Sequence, residues 1–285
     1  MQKKTTALIR QGWLRSLLFF IVLVIANFAL YYLLLENQPR GYEEHFPLFP
    51  ALTLFEGMII TGSTVSMIIV FIFSKVIDRI PLLHLGFAGD KRGALTGFFL
   101  AGALLGTGSM ILLMTGHLQW VNSNNNWKEL FSLLMLLLLI AFSEELAFRG
   151  YILRNLLESL SRRPAILLSG AGFVLMHAAN PGMEVTAIIN LMLGGILLGQ
   201  SYVINRNLWM PICFHFGWNF LQGSVLGYNV SGLKLASLLE MQLSGNEWMT
   251  GGEFGFEGSL IATVMLVAGI LLLEFRFTQN KESIT

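Results

Sequence analysis

Ser143-Glu144-Glu145-Leu146-Ala147-Phe148-Arg149-Gly150 follows directly on an apolar run, Phe131 to Phe142, that reads as the middle of a membrane-spanning helix. Two carboxylates and a guanidinium thus sit where hydrocarbon is expected. A charge at a helix centre costs ~2.5–3.5 kcal/mol on insertion scales, so three unpaired ones would cost roughly 8–10 kcal/mol. A cost of that size requires partners, a wet cavity, or both. Glu145 and Arg149 are four residues apart, share a helix face and can pair. Glu144 is rotated by about 100° and is left over. A carboxylate without a cation in low dielectric is suited to take a proton from water. The plainer alternative is an ion network that only holds helices together.

Composition agrees with a membrane setting. Of 285 residues, 54% are hydrophobic and 12% charged, against about 25% charged in soluble domains, and mean hydropathy is +0.66. The expected fold is all-α, a polytopic helical membrane protein with an intramembrane polar site. The single cysteine, Cys213, rules out an internal disulfide and a multi-cysteine zinc site. Lys and Arg form no basic run with interleaved aromatics, so no nucleic-acid partner is expected. The partners implied are membrane lipid and a protein or peptide substrate.

About eight spans are expected, in one membrane domain over 1–285: Trp13–Leu35, Ala51–Ser74, Ala94–Thr115, Trp127 to about Leu157, Ala165 to about Ala179, Val185–Ile204, Leu208–Tyr228 and Ser259–Leu273. Gly93, Gly97, Gly102 and Gly106 on the third form two small-xxx-small pairs that permit close helix approach. Residues 36–50 read as a loop, and 229–258 as a long Gly- and Glu-containing loop on the membrane surface. Most Lys and Arg fall in 1–12, 75–92, 154–163, 205–207 and 276–285, and the alternate loops are richer in Glu. By the positive-inside rule both termini, with polar tails at 1–12 and 278–285, face the cytoplasm, and an even span count satisfies this.

Two further stretches carry polar groups inside spans. His177 is the only ionisable residue of the fifth. It lies 15 residues after Arg162, and Glu145 lies 17 before, so at ~1.5 Å per residue both stand roughly 22–26 Å along their helices. A hairpin of these helices would bring them to similar depth. Phe173, one turn before His177, reads first as packing and second as a wall of a substrate pocket. On the seventh span His215 and Asn219 are four apart and point the same way. Together they supply two donors for an oxyanion. A core of 127–225 thereby holds Glu144, Glu145, Arg149, Phe173, His177, His215 and Asn219, a set that matches amide hydrolysis by activated water. Cys213 lies on another face from His215 and is a poor nucleophile.

These stretches resemble the CAAX protease and bacteriocin-processing family of intramembrane endopeptidases, related to the type II CAAX prenyl endopeptidases. Its Glu-Glu-x-x-x-Arg pattern is met by Glu144, Glu145 and Arg149, its Phe-x-x-x-His pattern by Phe173 and His177, and its His-x-x-x-Asn/Asp pattern by His215 and Asn219. The resemblance implies that Glu144 with His177 activates water, that Glu145 and Arg149 support the site, and that His215 with Asn219 binds the oxyanion. It implies a bacterial plasma-membrane protein, with prenylated or membrane-anchored chains among its candidate substrates. Members are described both as metalloproteases and as glutamate-dependent enzymes without metal. The metal-free form is preferred, because His177 and His215 lie on different helices and no His-Glu-x-x-His motif is present. Zinc, if bound, would be held by Glu144, His177 and His215.

The leading expectation is an intramembrane peptidase acting near the cytoplasmic half of the membrane. A non-catalytic immunity or scaffold protein could use the same polar core for helix association. A proton-coupled transporter is a third reading, and the absence of inverted repeats weighs against it.

Overall fold

A computed structural model describes residues 7–36, 45–46, 49–88, 91–123 and 127–282. The expected tails at 1–12 and 278–285 and the loop 36–50 lie partly or largely outside them. Among the described residues the main helices are α1 (Gly12–Glu36), α2 (Leu54–Ile72), α3 (Arg92–Met114), α4 (Trp127–Ser159), α5 (Arg162–Met176), α6 (Val185–Asn205), α7 (Trp209–Asn219) and α8 (Leu260–Glu282). They occupy the eight stretches expected to span. Six are long and apolar enough to cross a membrane; α5, with 15 residues, and α7, with 11, are the shorter ones. The two short helices carry the histidine motifs.

Leu, Ile and Phe cover the outer surface, with Phe28, Phe99, Phe131 and Leu271 all above 60% exposed. In water such a surface would aggregate; against acyl chains it is the lowest-energy arrangement. Inside, α4 lies centrally, touching α2, α5 and α7, while α3 runs along α7 and α8 packs on α3 and α6. Close approach depends on small residues. A Cβ at Gly97 of α3 would collide with the Met210 carbonyl of α7, whereas Gly106 faces open space, so only part of the expected glycine pattern is used for contact. At the α5–α6 crossing, a Cβ on Gly195 would come within 2.8 Å of the Gly170 Cα.

The helix path widens at three places. π-helical turns occupy Phe73–Ile77 after α2, Leu146–Leu153 inside α4, and Phe220–Val225 after α7. Two of them follow motif residues directly, a common association of π-turns with functional sites. Neighbouring hydroxyls reach the carbonyls of the α4 turn: Ser169 donates to Phe148 O at 3.1 Å and Ser16 to Ile152 O at 3.0 Å.

Strands are few. β1 (His45–Phe46) pairs antiparallel with β2 (Phe49–Thr53), and β3 (Leu118–Ser123) with β4 (Leu239–Leu243). The second pairing corrects one expectation. The segment 229–258 does not simply lie on the membrane surface; β4 is tied to β3, and Val230, Ser231, Leu233 and Leu235 turn inward between the helices.

Candidate active site

Glu144 and Glu145 close the regular part of α4, and Arg149 stands in the π-turn that follows. His177 terminates α5. His215 and Asn219 lie one turn apart on α7. The helix ends therefore bring three separated motifs together, and each contributes side chains to one region.

Glu145 is the hub. Its Oε1 accepts from Arg149 Nη1 at 2.7 Å, the pairing that the spacing predicts, and also contacts His215 Nδ1 at 2.9 Å. Arg149 is fully buried; Nη2 donates to Gly195 O at 3.2 Å, and the guanidinium lies 4.8 Å from the Phe173 ring centre. That stacking contributes ~0.5–2 kcal/mol. Phe173 also stands 4.5 Å from the His177 ring and 6.0 Å from the His215 ring, so it packs against both imidazoles and the buried cation.

Glu144 is placed differently. Its side chain is 29% exposed, and its Oε2, itself shielded, has no hydrogen-bond partner; His215 Nε2 lies 3.9 Å from it. His177 Nδ1 lies 2.9 Å from Phe173 O. A carbonyl only accepts, so Nδ1 carries a proton there and the neutral ring keeps its lone pair on Nε2.

Glu144, Phe173, His177, His215 and Asn219 all line one cavity of about 340 Å³. Glu145 and Arg149 stand behind it. Its other walls include residues that sequence reasoning missed. Asn180 follows His177 and donates to Ser231 O at 3.0 Å. Asn190 of α6 is buried beside the segment before α8. Ser231 and Glu257 come from the segment 229–258. Asn190 carried a signal, as a polar residue in the apolar run Val185–Ile204. Ser231 and Glu257 carried none, since only tertiary pairing brings them inward.

Depth also differs from expectation. Among the described residues, none from the basic segments 1–12, 75–92, 154–163, 205–207 or 276–285 lines the cavity. The cavity reaches toward the opposite end of the bundle, not the basic half where cleavage was expected. Counting from Arg162 accounts for this, because ~22 Å of helix crosses most of a hydrocarbon core about 30 Å thick. For zinc, the set named above would be Glu144, His177 and His215. Among the described residues, however, no group of three or more His, Cys, Asp or Glu is arranged to hold a metal ion.

Motif residues around one cavity among apolar helices define a helical membrane protein with a polar centre. Residues 126–221 match the family model described as type II CAAX prenyl endopeptidase Rce1-like. The match covers all three motifs and about a third of the chain, and it is the same protease group that the motifs resemble. Over this stretch the chain is similar to a protease family. Neither a curated protein nor a solved structure matches the chain.

Proposed function

We propose that this protein is an intramembrane endopeptidase in which Glu144 and His177 activate a water molecule and His215 and Asn219 bind the oxyanion. The observation that carries this reading is the convergence of Glu144, His177, His215 and Asn219 on one cavity. Glu144 has a carboxylate oxygen free of partners, and His177 has Nε2 available as an acceptor. Both are what proton removal from water requires. The proton passes to this pair, hydroxide adds to the carbonyl carbon of the scissile bond, and the leaving amine takes the proton as the C–N bond breaks.

An oxyanion needs a donor, so His215 must carry hydrogen on Nε2. Glu145 beside Nδ1 supplies the negative charge that a doubly protonated ring requires, and Arg149 holds Glu145 in place. With both termini in the cytoplasm, as the distribution of basic residues implies, the cavity faces the non-cytoplasmic half of the membrane. The steps use only this chain's own groups.

The test is a proteomic comparison of membranes bearing wild-type or Glu144→Ala protein at equal abundance. Peptides cut only in the wild type are expected. Identical peptide sets would end the assignment of Glu144 as the base. Glu144→Gln separates this from a scaffold role: the amide preserves shape, so a scaffold would keep its phenotype and a peptidase would lose it.

A further inference from the structure

One more acid reaches the cavity, from outside the segment that matches the family. Glu257 lies shortly before α8 and lines the cavity wall. Its Oε1 accepts the Trp218 indole N–H at 3.0 Å, and its Oε2 accepts both the Ser231 backbone N–H and hydroxyl at 2.9 Å. Trp218 sits between His215 and Asn219 on α7, so the motif helix itself aims this carboxylate. Asn190 anchors the chain around it, donating to the carbonyls of Glu257 at 2.7 Å and Ser259 at 2.8 Å. Ser231 holds φ +48 and Gly232 φ +84, the left-handed pair of a tight turn between Val230 and Leu233. A serine kept in that conformation points its N–H at the acid.

The three donors to Glu257 are neutral. A carboxylate offers about four acceptor positions, so one on Oε1 remains open. Glu144 and Glu257 both line the cavity, whereas among the described residues no Lys or Arg does; Arg149, behind the wall, is matched by Glu145. With His215 doubly protonated and His177 neutral, the lining has two negative charges against one positive. Low-dielectric walls focus that field. The excess is negative, and an ammonium or guanidinium supplies the missing charge.

We propose that Glu257 is a specificity-determining residue that pairs with a Lys or Arg side chain of the bound peptide. This rests on the peptidase reading above. The substrate segment then carries a basic residue near the cleaved bond.

Full-length protein in phosphatidylcholine nanodiscs tests this with three fluorescent single-span peptides that differ only in Lys, Gln or Glu at one position. Wild-type protein is expected to bind the Lys peptide about tenfold tighter than the Gln peptide, and the Glu peptide weakest. Glu257→Gln should erase the Lys preference with Gln-peptide affinity unchanged, and Glu257→Lys should reverse the order. A purely structural role would not move this selectivity. Equal affinities in wild-type protein, or a Lys preference that survives Glu257→Gln, would overturn the proposal; the first needs no variant to fold. Glu144-dependent turnover of the Gln peptide is scored separately. Selective binding without turnover would count against the peptidase reading alone, and turnover without selectivity against the Glu257 assignment alone.

Discussion

Two buried ionic clusters lie along α4, and they are built on opposite plans. Around Glu145, the carboxylate Oε2 atoms of Glu144 and Glu145 have no hydrogen-bond partner, and a cavity adjoins them. Around Asp78 every carboxylate oxygen faces a donor or a cation. Arg15 Nη1 at 2.8 Å and Tyr151 Oη at 3.2 Å reach Oδ1, while Asn155 Nδ2 at 3.0 Å and Arg154 Nη1 at 3.5 Å reach Oδ2. Arg15 and Arg154 also pair with Glu158. This cluster ties α1 and the turn after α2 to α4, and none of its members lines the cavity. Buried charge alone is therefore no mark of a site. Charge with unused acceptor capacity beside open space is.

The largest expected effect separates the two directly. Glu144→Ala should lower cleavage by ~10²–10⁴-fold, the range of general acid–base catalysis. Its unfolding temperature in detergent should stay near wild type, since no hydrogen bond is lost. Asp78→Ala should do the reverse: breaking a buried pair from one side costs about 3–5 kcal/mol, so the protein unfolds earlier, while folded molecules cleave normally. Equal destabilisation by both substitutions would erase the distinction between site and clamp.

This contrast was only half visible in the sequence. Glu145 with Arg149, and His215 with Asn219, are local i,i+4 patterns whose geometry follows from helix periodicity. His177 was legible as a lone ionisable group in an apolar span. The clamp joins residues 63 to 143 positions apart, with Arg15 reaching both Asp78 and Glu158, and no local pattern reports such contacts. The π-turn after Glu145 is hidden too, because Ser16, Ser169 and Arg149 bond the backbones of other elements in three dimensions. Asp78 falls within the basic segment 75–92, where nothing local marks it, although it is buried. The inward course of 229–258 depends on the β3–β4 pairing and on Glu257, both long-range.

A third ion pair sharpens the comparison at its weak end. Arg162 at the start of α5 grips Glu274 of α8 through two hydrogen bonds, of 3.2 and 2.6 Å, with Gln200 Nε2 adding a third to Glu274 at 3.1 Å. The geometry is as good as that of the clamp, but Glu274 is 38% exposed and Arg162 20%. Water already screens these charges, so little desolvation cost is at stake when the pair is broken. Glu274→Gln also keeps an oxygen that Arg162 can use. The expected loss is no more than about 1 kcal/mol of stability, with cleavage unchanged, read by thermal unfolding and peptide turnover on one preparation. A loss as large as that of Asp78→Ala would mean that bond geometry, and not burial, sets the strength of these clusters.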